Sequence, residues 1–241
     1  MKKKLLITLA CTLAIASCSK DKGSGSIDFA IASDVSIEDV AKSKVSEYTS
    51  LPDAGEFTIT IKDASQEKIW EGKVKEWNPS TKLVVGTYTV AASYGDATQE
   101  GADKPCYKGN TNFSIEGAAT TTVKIPVELE NCLVKVVCTD TFKKYFTEGK
   151  FTLTTGNGNS FDIAKDSDTA LFIEAYKFSI EGNFKNQGGA DKSFSKEYQD
   201  LSPATLYTLK YDISNVGGLK VTVTFNDTVA EFDLGDVEIN N

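Results

Sequence analysis

Gly86-Thr87-Tyr88-Thr89-Val90-Ala91-Ala92-Ser93-Tyr94 decides how this chain folds. Tyr88, Val90 and Ala92 alternate with Thr87, Thr89 and Ala91. Successive side chains of a strand point to opposite faces, so this alternation marks a strand with one face buried. Gly95-Asp96 then ends the run with a turn. The pattern recurs on both sides. Behind a turn at Asp53-Ala54-Gly55, Phe57, Ile59 and Ile61 alternate with Thr58 and Thr60; further on, Val123, Ile125 and Val127 alternate with Lys124 and Pro126. Val134 and Val136 share a face between Cys132 and Cys138, and Phe151 and Leu153 alternate with Thr152 and Thr154. Phe172 marks one strand, Tyr176, Phe178 and Ile180 a second, and Leu206, Leu209 and Tyr211 a third. Leu219, Val221, Val223 and Phe225, a turn at Asn226-Asp227, then Phe232 and Leu234 read as a terminal hairpin. Only Thr141 to Phe146 reads as helical. Ser36 to Tyr48 stays open, since Ile37, Val40, Lys44 and Val45 allow a short helix while Ser and Thr near its end oppose one. Short strands roughly ten residues apart predict an all-β chain of β-sandwich type. They are too many for one sandwich of about 100 residues. The expectation is two sandwiches in tandem, residues 27–127 and 128–241, meeting near Val127–Glu130.

The front of the chain is different. Met1-Lys2-Lys3-Lys4 is basic, and Leu5 to Ala16 is apolar but too short to span a bilayer comfortably. Ile15-Ala16-Ser17-Cys18 closes the run with small residues before a cysteine, so residues 1–17 read as a signal peptide. This resembles the lipobox of bacterial lipoproteins, which implies cleavage before Cys18 and acylation of its thiol and new amino terminus. Several acyl chains hold a protein on a membrane where one would not. Residues 18–26 are polar and Gly/Ser-rich, and read as a flexible lipidated tether. Lys20-Asp21 is similar to the surface-export signal of lipoproteins in gut and oral anaerobes, with Lys22 standing where that signal carries a further acid. No other apolar run approaches the roughly 20 residues of a membrane span. The expected location is the outer membrane at the cell surface, with the body held by its lipid anchor alone.

Composition narrows the chemistry. The net charge is −8, and about −11 once the three leader lysines are gone. An acidic body repels phosphate backbones, which argues against a nucleic-acid partner. There is no histidine, and all 26 basic residues are lysine. Ser-His-Asp and Cys-His nucleophiles are therefore absent, as are the commonest zinc ligand and the guanidinium clamp for carboxylate or phosphate. Carboxylate pairs that hydrolyse glycosides need neither residue, but none of the acids lies in a recognisable catalytic motif. The expectation is a protein that is not an enzyme and needs no cofactor. Of five cysteines, Cys11 leaves with the leader and Cys18 carries lipid, so Cys106, Cys132 and Cys138 remain. An odd number argues against a disulfide framework. In one regular strand Cys132 and Cys138 lie about 20 Å apart, beyond the roughly 7 Å limit between bridged alpha carbons. They read as small buried hydrophobes; a bridge from Cys106 to one of them is the alternative.

Leu83-Val84-Val85-Gly86-Thr87-Tyr88-Thr89-Val90-Ala91-Ala92-Ser93-Tyr94-Gly95 belongs with Glu100-Gly101-Ala102-Asp103-Lys104-Pro105-Cys106-Tyr107-Lys108-Gly109, Phe113-Ser114-Ile115 and Asp140-Thr141-Phe142-Lys143-Lys144-Tyr145-Phe146. Over roughly residues 27–241 these motifs resemble a family of two-domain surface lipoproteins of gut and oral anaerobes. That family sits within the fimbrillin-like superfamily of fimbrial subunits, anchors and tip adhesins. The resemblance implies two transthyretin-like β-sandwich domains, and partners among other fimbrial subunits or host and glycan surfaces. Related shaft subunits are cut after an arginine, lose their first strand and accept one from the next subunit. This chain has no arginine to cut, which favours a protein that stays lipidated: an anchor, an accessory subunit or an unpolymerised surface protein. The alternative is a glycan-binding surface lipoprotein for nutrient capture.

Four features are candidate sites. Asp96, Glu100 and Asp103 share a loop with Gly95 and Gly101, but their spacing fits no calcium motif, and a solvated acidic loop is the plainer reading. Trp70, Trp77, Tyr94 and Tyr107 suit a sugar-stacking platform or a core. Core or domain-interface packing is the plainer reading of each; Trp77, which precedes Asn78-Pro79, is expected near a turn and is the one of the four most open to exposure, and Trp77 and Tyr107 are the candidate ligand-binding residues. Asp168-Thr169-Ala170 and Asp227-Thr228-Val229 fit the tripeptide for O-glycosylation in anaerobes of this type, or are ordinary turns. Cys18 is the lipidation site.

Overall fold

A computed structural model describes residues 23–33, 47–117, 120–213, 219–225 and 228–230. The chain is all-β. Seven strands make the first half: β1 (Ser24–Ser33), β2 (Thr58–Asp63), β3 (Lys68–Lys73), β4 (Leu83–Val84), β5 (Gly86–Tyr94), β6 (Tyr107–Ile115) and β7 (Thr120–Leu129). Their order is β3-β2-β5-β6-β7-β1-β4. On β5, Tyr88, Val90 and Ala92 are buried while Thr87 and Ala91 are exposed, as the alternation requires. Ile59 and Ile61 of β2 enter the same core.

Strand β7 changes partner along its length. Thr120–Val127 run parallel to Ser26–Ser33 of β1. Glu128 and Leu129 pair instead with Lys108 and Tyr107 of β6. At the changeover Pro126 has no N–H to offer, and its carbonyl oxygen lies where a Cβ on Gly109 would meet it at 1.8 Å. β7 thereby links β1 to β6 within the one strand order. Ile27, Val123, Ile125 and Val127 pack over Ile59, Ile61 and Val90 in one cluster.

The second half contains β8 (Asn131–Cys138), α1 (Asp140–Tyr145), β9 (Phe146–Thr155), β10 (Ser160–Ala164), β11 (Ala170–Glu174), β12 (Lys177–Asn186), β13 (Asp191–Gln199), β14 (Leu206–Ile213), β15 (Leu219–Phe225) and β16 (Thr228–Ala230). They form the sheets β10-β9-β12-β13 and β11-β8-β14-β15-β16. Val134, Val136, Leu209 and Tyr211 from the second sheet meet Phe151, Leu153, Phe178, Ile180 and Phe184 from the first. Helix α1 starts where the Thr139 hydroxyl accepts from Phe142 N at 3.2 Å. Its far end is closed by Lys165, whose Nζ donates to the carbonyls of Lys143, Phe146 and Thr147. The helix delivers Phe142 against Phe146, Phe151, Phe184 and Tyr211, with ring centroids 4.8–5.9 Å away.

Several expectations are refined. Ser24–Ser26, read as tether, already belong to β1, because Ser24 and Gly25 pair with Val84 and Leu83, and Ser26 with Thr120. Tyr176 lies outside its expected strand, which begins at Lys177, and its side chain is 57 % exposed. The terminal hairpin is present as β15 paired with β16; its turn at Asn226-Asp227, and Phe232 and Leu234, lie outside the described residues, as does most of the open segment from Ser36 to Tyr48. No helix among the described residues is long and apolar enough to cross a membrane.

Candidate functional site

The three acids of the loop between β5 and β6 do not converge. Asp96 is tied to its own turn, its Oδ1 accepting from Thr98 N and Oγ1 at 2.9 and 2.7 Å, and these bonds hold its pKa below the ordinary carboxylate value. Glu100 turns the other way, into the second half. Its Oε2 accepts from Thr155 Oγ1 at 2.5 Å and Asn159 Nδ2 at 2.8 Å, and its Oε1 from Glu174 N at 2.8 Å. Asp103 adopts a positive φ of 54° at the loop tip. Among the described residues no group of three or more Cys, Asp or Glu is placed to hold a metal ion.

Glu100 is instead the centre of a junction. Beside it Gly101 N donates to Phe172 O and Phe172 N to Gly101 O, both at 2.9 Å. Asn131 closes the other side: its Oδ1 accepts from Cys106 N at 2.9 Å and its Nδ2 donates to Lys104 O at 3.0 Å. Leu133, Ala170, Phe172 and Leu206 of the second half pack into the core cluster of the first. Lys135 adds a polar tie, 2.9 Å from Tyr48 Oη and 2.5 Å from Asp168. Burial works against the Lys135 charge, but these two partners outweigh it and raise its pKa.

The aromatic candidates face inward. Trp77 is 8 % exposed, and Tyr107 is 7 %. Trp77 does follow a short 3-10 turn, Val74–Glu76. Its indole, however, turns inward, donating from Nε1 to Ile27 O at 3.3 Å and meeting the edges of Phe29 and Trp70. Trp77 therefore follows the core reading and not the exposed alternative: the backbone turns there while the ring is drawn into the core. Tyr107 bonds through its hydroxyl to Thr49 and Ser50, and its ring packs near Phe57 and Tyr94. Trp70 and Tyr94 are half-buried. Tyr176 is the one aromatic side chain that stands exposed among the described residues; its place just before a strand start gave no sign of that.

The three remaining thiols are free and buried, with no bridge from Cys106. Burial, with help from the Glu130 carboxylate, pushes Cys106 up to about 11. Burial above all carries Cys132 and Cys138 to about 12. Such thiols carry almost no thiolate near neutral pH and are poor nucleophiles. Thr169 is exposed, next to the Asp168 that pairs with Lys135. Thr228 opens β16, and Cys18 lies outside the described residues.

These placements give the molecule two ends. At one, Val85 N donates to Gly23 O at 2.7 Å, and Gly86 of β5 pairs with Ile115. At the other, Tyr94 pairs with Tyr107, and Gly95 leads into the junction loop. The nine residues of β5 separate the two by about 30 Å at strand rise. The chain's front therefore enters opposite the second half. The edges of the three sheets are β3 and β4, β10 and β13, and β11 and β16. The longest of them, β13, carries Lys192 and Lys196 along a run with no buried residue.

Residues 23–241 match the family described as a domain of unknown function, DUF4493. No curated protein matches the chain. Similar solved structures include a fimbrial assembly protein from Parabacteroides distasonis, 8 % identical, covering 87 % of this chain and 100 % of that one at a TM-score of 0.49. A proposed polysaccharide-binding protein from Bacteroides thetaiotaomicron is 11 % identical, over 88 % of this chain and 99 % of that one, TM-score 0.46. A proposed cell-adhesion protein from Bacteroides eggerthii is 10 % identical, over 88 % and 97 %, TM-score 0.46.

Proposed function

We propose that this chain, which belongs to the DUF4493 family, is a non-enzymatic, lipid-anchored protein of the cell surface, fimbrillin-like in type. It acts in adhesion or as an anchor or accessory subunit of a fimbria. Its two halves are tandem transthyretin-like sandwiches, residues 27–127 and 128–241. Acylated Cys18 holds it on the outer membrane. The observation that carries this reading is the opposition of the two ends. The residues that follow Cys18 enter at the Gly23 end, and the second half is docked at the other, about 30 Å away by the length of β5. An anchored molecule built this way holds its second half, with the exposed β13 edge and Tyr176, away from the membrane. Sheet edges and loops are what strand addition and adhesion use. The chain's lack of histidine and arginine, its buried thiols and its scattered acids support a role without catalysis.

Surface labelling and cross-linking on intact cells test this. The expected result is labelling of the protein from outside, and cross-linked bands whose mass spectra contain partners of the same fold. Absence of surface labelling would place the protein elsewhere and overturn the reading. Cys18→Ala should abolish incorporation of labelled palmitate.

A further inference from the structure

Two adjacent valines stand in water at the end where the chain enters. Val84 is 51 % exposed and Val85 38 %. Their backbone is held firmly. Val84 pairs with Ser24, and its carbonyl accepts from Tyr88 Oη at 2.7 Å. Val85 N is bonded to Gly23. Cγ2 of Val85 lies beside Gly23 and Gly117, which have no side chains to cover it. An exposed valine is ordinary by itself. What separates this pair is its distance from the anchor. Five residues lead from Cys18 to Gly23, and an extended chain covers at most about 3.6 Å per residue, so about 18 Å in all.

Resting on the lipid-anchor reading above, we infer that this end of the first half seats on the lipid surface, with Val84 and Val85 entering the interfacial layer. Two valines would not hold a free protein on a bilayer. The acyl chains do the holding, and at the local concentration they impose, a small apolar contact is enough to choose an orientation. Lys82 and Glu116, both exposed, flank the pair with opposite charges, so the contact is apolar and not a response to anionic headgroups. The second half then points outward, with the length of β5 between it and the headgroups.

The test uses the full-length lipidated protein in vesicles of phosphatidylethanolamine and phosphatidylglycerol. Val84→Cys carries a polarity-sensitive dye; Ser195→Cys, exposed on β13, is the distal control, and the unsubstituted protein gives the labelling background. On moving from the unlipidated Cys18→Ser form to vesicles, the dye at position 84 should shift to the blue and be quenched by brominated lipid. The dye at 195 should do neither. Equal behaviour of the two dyes on protein that floats with the vesicles overturns the seating while leaving the anchor intact. Failure to float at all removes the anchor reading, and this inference falls with it. A second measurement needs no substitution in the first half: Lys82 of the wild-type protein should react more slowly with a water-soluble acylating reagent on vesicles than in the Cys18→Ser form. An unchanged rate counts against the seating.

Discussion

The two halves arrange their aromatic rings differently. The first sets them in separate small groups, Trp77 with Phe29 and Trp70, Phe57 with Tyr94 and Tyr107, and Tyr88 with Phe113, among aliphatics that alternate along strands such as Ile27, Ile59, Ile61, Val90, Ile125 and Val127. The second gathers rings, with Phe142, Phe146, Phe151, Phe184 and Tyr211 in mutual contact. An aliphatic layer spreads its stabilisation over many modest contributions, whereas an aromatic cluster concentrates it, since each ring buries a large area and touches several others. One half is thus held evenly and the other from a point.

Single substitutions sharpen that contrast. Phe151→Ala should cost about 3–5 kcal/mol, against about 0.5–1.5 kcal/mol for Ile59→Val, both read from urea unfolding. Near-equal values would mean that the aromatic cluster is no tighter than the aliphatic one. Two glycines probe rigidity. A Cβ on Gly109 would strike the Pro126 carbonyl, and one on Gly182 would strike the Phe194 ring at 2.2 Å. A ring swings aside and a strand backbone does not. Gly182→Ala should therefore cost about 1–3 kcal/mol and loosen β13 in hydrogen exchange, while Gly109→Ala costs more. The reverse order would show that β7 yields where it changes partner.

The junction joins what the cores distinguish. Glu100→Ala strips acceptors from Thr155, Asn159 and Glu174 N, a loss of about 1–3 kcal/mol. The expected calorimetric signature is one transition broadening towards two; a single unchanged transition would show that Phe172 and its neighbours couple the halves without help. Smaller again is the response of the thiols. Cys106, Cys132 and Cys138 should resist alkylation at pH 8 in the native state, where burial raises their pKa values, and react fully in urea. Fast native labelling would mean that one core opens. The smallest effect belongs to Glu56, whose bonds to Lys73 and Lys75 lower its pKa from 4.5 to about 2. Its contribution is present above 4.5 and lost as pH falls from there through about 2. Because the group is exposed, salt should screen it. Carboxyl shifts in an NMR titration would read the midpoint directly, and a midpoint at the ordinary value would remove the pairing.

How much of this was legible follows from burial. β2, β5, β7 and β9 each have one face in the core, so their alternation is written in the residues. β3, β6, β10 and β13 went unread; β6 lies inside its sheet but carries Gly109 and Thr111 between Tyr107 and Phe113 on its inner face, and the other three are sheet edges. An edge strand such as Asp191–Gln199 hides little and is charged to discourage further pairing, so its sequence resembles a loop. Helix α1 was visible as Thr141 to Phe146; its start at Asp140, with Thr139 as cap, came from the structure. The sites were less legible. Asn78-Pro79 announces a backbone turn but says nothing of which way the Trp77 ring points, and its partner Ile27 is fifty residues away. Glu100 looked like one more loop acid because its partners lie 55 to 74 residues further on.

The parallel pairing of β1 with β7 has a mechanical meaning. The front of the chain leads into the start of β1, and the end of β7 leads through Glu130 into β8 and the second half. A tug between a cell's envelope and whatever the second half grips would pull these two strands from opposite ends. Their ladder, Ser26–Ser33 against Thr120–Val127, would then be loaded in shear, with all its bonds sharing the force and none unzipping first.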